Sequence, residues 1–158
     1  MLYGLLKAVH LLSLMVWLGG MVYANFFLRP SLALLAPPER VQLMHAVMGR
    51  FFSAVSLATL LVLLSGLGMV GLSVQMAHQS GGRFSMPLPW MVMAGLGVLM
   101  MGIFGHLRAG PYKRLTQAVA VQDWPGGAAA LARIRTGVLV NLGLGVFIVL
   151  VMLLGSAY

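Results

Sequence analysis

The sequence predicts an all-α membrane protein, a bundle of four helices that cross the bilayer, and three observations carry that reading. Apolar residues make up 61% of the 158-residue chain and charged residues only 8%, against about 25% charged in a soluble domain. The apolar residues gather into four long runs, residues 8–28, 51–71, 88–105 and 137–154, each near the roughly 20 residues that a helix needs to cross a hydrocarbon core of about 30 Å. None of the runs shows the alternation of a lipid-facing barrel strand. Helix is then the state in which each backbone polar group finds its partner within its own segment.

Each run has its own punctuation. The first follows Lys7, as in a secretory signal peptide, but it is longer than the roughly 7–15 apolar residues of such a leader, so a retained span is expected. Pro37-Pro38 suits the first turn of a helix that begins ahead of the second run and projects beyond the membrane. Pro87 and Pro89 open the third run, with Trp90 at headgroup depth. Asp123-Trp124-Pro125-Gly126-Gly127 reads as a turn between an amphipathic stretch, residues 112–122, and the last helix. No internal repeat is evident, and residues 1–158 read as a single domain.

Lys and Arg total 10 against 2 acidic residues, a formal charge of +8. Nucleic-acid binding is excluded, because the basic residues sit in short connections between apolar runs and not on a soluble face. The connection after the first run holds Arg29, Arg40 and Arg50, and that after the third holds Arg108, Lys113, Arg114, Arg133 and Arg135. The middle connection holds Arg83 alone. The basic connections are therefore expected in the cytoplasm and both termini outside, as in a bacterial inner membrane. Lys7 is the one contrary charge and can snorkel to the outer headgroups.

Small residues at helical spacing, Gly20 with Ala24 and Gly137 with Asn141 and Gly145, predict close helix packing inside the chain. A homodimer or a partner membrane protein on the same faces is the alternative.

The spans contain no Asp or Glu, and the chain has no Cys. The missing carboxylates count against proton-coupled pumping and hard-cation passage, and the missing Cys excludes thiolate sites and iron–sulfur clusters. His10, His45, His78, His106 and 13 Met remain, and imidazole and thioether suit haem iron or copper. His10 lies about one turn inside its span, where an ionisable group is a functional candidate by default; Ser13 and Trp17 on the same face offer it local partners. His45 and His106 lie near the opposite boundary beside Arg50 and Arg108. From Trp90 to His106 a helix rises about 24 Å, so His10 and His106 are not expected on one iron.

The favoured expectation is a b-type haem for electron transfer or redox sensing, with His10, His45 and His106 as candidate ligands and Arg50 and Arg108 meeting the propionates. The alternative is copper transfer or uptake through His10, His78, Met76 and the Met residues around them. A non-catalytic scaffold is the third reading.

Lys7-Ala8-Val9-His10, Trp17-Leu18-Gly19-Gly20 and Leu28-Arg29-Pro30 resemble the opening helix of the CopD-like copper-resistance membrane domain. The similarity continues through Gly49-Arg50-Phe51-Phe52, Ser65-Gly66 and the stretch from Trp90 to His106. That resemblance implies membrane copper handling, usually uptake into the cytoplasm. HemJ-type protoporphyrinogen oxidases are similar more distantly, with a first-span His and Trp, which implies haem ligation through His10. That family carries a Lys in its third span shortly after a Trp. Residues 91–95 here hold none, which counts against protoporphyrinogen oxidation.

Overall fold

The computed structural model describes residues 1–155. Among them are four helices long and apolar enough to cross a membrane: α1, Leu2–Leu34; α2, Pro37–Gln79; α3, Leu88–Ala120; and α4, Trp124–Gly155. All four outrun the apolar segments predicted for them, and at about 1.5 Å per residue α2, with 43 residues, extends well past any hydrocarbon core. One end of the bundle carries Lys7 and the connection at residues 80–87. The other, the basic end, carries Arg40, Arg114 and Arg133.

Local chemistry explains the breaks. Arg40 Nε donates to the Leu32 carbonyl at 3.0 Å, and its Nη2 donates to those of Ala33 and Leu35 at 3.2 and 3.0 Å. It thereby satisfies carbonyls that the end of α1 leaves without helical partners. The Glu39 carboxylate accepts from the Ala36 N–H at 3.1 Å, and Pro37 occupies the first position of α2, where its missing donor costs nothing. The predicted turn at residues 123–127 proves shorter. Asp123 is an N-cap, its Oδ1 accepting from the Gly126 N–H at 3.0 Å, and α4 starts at Trp124.

Two π-helical turns, Tyr23–Leu28 in α1 and Arg108–Tyr112 in α3, interrupt the helices near the basic end. Each accompanies a proline, Pro30 or Pro111. A proline cannot donate to the helix ladder, and its ring crowds the carbonyl four residues earlier; a wider turn relieves both problems.

Helix α1 packs along α2, and α3 along α4; α4 also touches α1 and α2, while the last stretch of α3, Lys113–Ala120, rests on α2 and α4. The small residues predicted for packing serve these seams. A Cβ at Gly145 would overlap Leu18, and one at Gly137 would lie 2.6 Å from Leu107, so glycine is what lets α4 approach both neighbours. Between these glycines, Asn141 is buried and its amide donates to the Met100 carbonyl at 3.1 Å. The centre of the bundle is an aromatic layer. Trp17 meets Phe104 edge-on at 6.1 Å, and Phe52 meets Phe104 and Tyr112 at 5.4 and 5.0 Å.

Candidate functional site

Because the two helix pairs meet chiefly through α4, α2 and the first half of α3 stand apart, and a cavity of about 280 Å³ lies between them. A single water needs roughly 10–15 Å³, so the space admits a ligand and not merely a solvent molecule. His10, Trp17, Met86, Trp90, Met93, Met100 and Met101 face it. Leu63, Leu67 and Val98 also line it and remain largely exposed, which opens it sideways towards lipid. Trp17 and Met100 belong both to the cavity wall and to the buried core, so the aromatic layer is its floor and separates it from the basic end.

His10 is the polar centre of this space. It is only 9% exposed, and its Nδ1 lies 3.0 Å from the Val62 carbonyl and 3.1 Å from Ser65 Oγ. A carbonyl can only accept, so Nδ1 carries the proton and donates across the α1–α2 seam. The local partners expected at Ser13 and Trp17 are not the ones used. In the neutral ring Nε2 then keeps its lone pair, and it makes no hydrogen bond among the described residues. A backbone carbonyl fixing one imidazole nitrogen while the other stays unprotonated is the usual outer-shell support of a metal-ligating histidine.

The other predicted residues are dispersed. His45 is half-buried, stacks on Tyr112 at 5.6 Å, and lies with Nε2 3.1 Å from Thr116 Oγ1. The Thr116 hydroxyl donates to the Tyr112 carbonyl, so His45 Nε2 is the donor in that pair and only Nδ1 remains free. His106 is exposed in a separate groove between α3 and α4. Arg108 donates to Ser56 Oγ, and Arg50 is exposed. His78 and Met76 are exposed near the end of α2. The structure thus brings none of His10, His45 and His106 into a shared cavity, and no Arg faces the cavity at His10. Among the described residues no three His, Cys, Asp or Glu side chains cluster as a metal site; the side chains sharing the cavity with His10 that could donate to a metal are the thioethers of Met86, Met93, Met100 and Met101.

Sequence reasoning does not single out Met100 and Met101, although the signal is present. Met93, Gly97, Met100 and Met101 are spaced by four, three and one, which places them on one helical face.

The family model of copper resistance protein D, CopD, matches residues 45–154, more than two thirds of the chain. The chain belongs to the CopD family. Comparison with curated proteins and with solved structures finds no match. The matched segment of this CopD protein begins within α2 and includes Val62, Ser65 and the cavity's methionines; α1 and His10 precede it. Family membership reverses the order of the two sequence-based expectations, favouring copper over haem.

Proposed function

We propose that this CopD-family protein handles copper in the membrane, accepting Cu(I) in the cavity beside His10 and transferring it towards the basic end. One observation carries the reading: an imidazole with a free Nε2 shares a lipid-embedded cavity with the thioethers of Met86, Met93, Met100 and Met101. Neutral imidazole and thioether are soft donors that favour Cu(I) over the hard cations that oxygen ligands take. The absence of carboxylates from the spans fits the same preference. His78 and Met76, at the end of α2 opposite the basic end, serve as an entry pair in this scheme. The Arg-rich connections support an inner-membrane orientation with the basic end in the cytoplasm and both termini outside, so that transfer runs inwards.

The test is Cu(I) binding to the purified protein under reductant, with stoichiometry read by metal mass spectrometry. The wild type is expected to hold about one ion per chain. A Met93→Leu, Met100→Leu double variant, which keeps side-chain volume and removes two thioethers, is expected to lose most of it. Equal copper in the two proteins, or none in the wild type, refutes the assignment. A Soret band in the same preparation would instead favour the b-type haem that the sequence alone ranks first.

A further inference from the structure

At the basic end, α3 and α4 leave between them a second groove, of about 740 Å³, for which copper handling has no use. Its lining changes along its length. Leu99 and Ile103 face the deeper part, whereas His106 and Arg114 on α3 and Arg133 on α4 face the part nearest the basic end. Gly102 and Gly110 belong to the same groove, and a Cβ at either would meet nothing within 4 Å. These two glycines therefore leave an open floor and do not serve helix contact.

The charges over this floor are unanswered. Arg114 and Arg133 are exposed and make no hydrogen bond or ion pair among the described residues. The chain's two acidic side chains are engaged elsewhere, Glu39 at the Ala36 N–H and Asp123 at the Gly126 N–H. Two unpaired guanidiniums thus stand at the headgroup end of an apolar furrow. An occupant that satisfies both parts is amphipathic, with a diffuse negative charge at one end and hydrocarbon at the other.

We infer that the α3–α4 groove is a binding site for one anionic phospholipid. Its phosphodiester sits beside Arg114 and Arg133, and an acyl chain runs along the floor at Gly102 and Gly110. Guanidinium groups donate in parallel pairs to phosphate oxygens, and basic pockets between membrane helices select anionic headgroups. The anionic lipid also supplies counter-charge at the end of the bundle where this +8 chain concentrates its cations.

Native mass spectrometry of the full chain in detergent, with phosphatidylglycerol or phosphatidylcholine added, tests the site. The wild type is expected to retain one phosphatidylglycerol more tightly than phosphatidylcholine. Arg114→Gln and Arg133→Gln are each expected to weaken retention about fivefold, and together about thirtyfold, the effect of roughly one surface charge each. Lys113→Gln, an equal loss of charge on the adjacent residue outside the groove, is expected to leave retention unchanged. Gly102→Leu fills the floor without touching a charge and is expected to weaken retention as well, which keeps the test valid if an Arg variant folds poorly. Copper binding by these variants should stay at the wild-type level, so failure here is separable from failure of the copper reading. Equal retention of the two lipids, an equal effect of Lys113→Gln, or displacement by inorganic phosphate alone overturns the inference.

Discussion

Replacing His10 by Leu removes the imidazole from the cavity while retaining bulk, and the structure fixes both halves of the expected result. The stability half is small. The His10 Nδ1–H is shared between the Val62 carbonyl and Ser65 Oγ at 3.0 and 3.1 Å. The Ser65 hydroxyl donates to the Leu61 carbonyl, and the Val62 carbonyl lies inside the continuous α2 ladder, so the substitution leaves no orphaned acceptor. Hydrogen bonds between membrane helices average about 0.6 kcal/mol and reach about 1.7, and the variant should lose no more than that. The binding half is large. Loss of an outer-shell partner alone typically weakens a metal site 10–100-fold, so loss of the ligand should weaken Cu(I) affinity by more than about 100-fold. Ser65→Ala provides the graded control, since Nε2 remains and one of two acceptors for Nδ1–H is gone. About a tenfold weakening is expected there. Affinity is read by competition with a Cu(I) chelator and stability by detergent titration of the helical signal. Wild-type affinity in the His10→Leu variant refutes the ligand assignment. A stability loss above about 3 kcal/mol would instead make His10 a structural pin between α1 and α2.

Three other outcomes follow from the same geometry. Gly97 lines the cavity and a Cβ there would meet nothing within 4 Å, so Gly97→Leu should fill the space and abolish Cu(I) binding. It should leave stability unchanged or higher by up to about 1 kcal/mol, measured in the same detergent titration. Copper that bridges His10 on α1 and methionines on α3 should raise resistance to unfolding, by about 2.7 kcal/mol at a free concentration 100 times Kd, and the increment should vanish in His10→Leu. Because the chain has no Cys, single cysteines report sidedness directly. In intact cells an impermeant maleimide should label Ser80→Cys and spare Gln122→Cys, and the reverse pattern would invert the proposed orientation.

The fold was legible because composition dominates it: four runs without acidic residues leave helix as the only satisfied backbone state in lipid. Helix ends were less legible. The apolar run ends near residue 71, yet α2 continues to Gln79, because nothing in Leu72-Ser73-Val74-Gln75 opposes helix once the membrane is left behind. The π turns were not anticipated either, since Pro30 and Pro111 state that the ladder must yield but not how. At the site, His10 was legible from depth alone. Its partners were not: Val62 acts through a backbone carbonyl, which carries no residue signature, and Ser65 enters the sequence reading only as part of the Ser65-Gly66 resemblance. His45 and His106 share a depth near the basic end but point into different surroundings, one against Tyr112 and the other into the α3–α4 groove. Depth is readable from a count of residues, whereas azimuth around each helix depends on which neighbours it packs against.

The division of labour between the helices explains how a histidine with one free ring nitrogen keeps its place in this bundle. A polar side chain in hydrocarbon is tolerated where the protein answers its hydrogen-bonding groups. Here α2 answers only one, the Nδ1–H, through a carbonyl and a hydroxyl that are fixed by the helix itself. The second nitrogen is left to a space whose other walls are thioether, indole and aliphatic carbon. Those walls offer no strong hydrogen-bond acceptor that would draw the proton to Nε2, and no carboxylate that would favour the imidazolium. The same walls are soft enough to complete a Cu(I) coordination shell. Below them Trp17, Phe52 and Phe104 pack together, so in the proposed copper transfer an ion at His10 would reach the basic end only by rearrangement of this aromatic layer. Under that proposal loading and release would fall to different parts of the bundle, the α1–α2 seam setting the ligand and the contact of α3 with that seam setting the barrier.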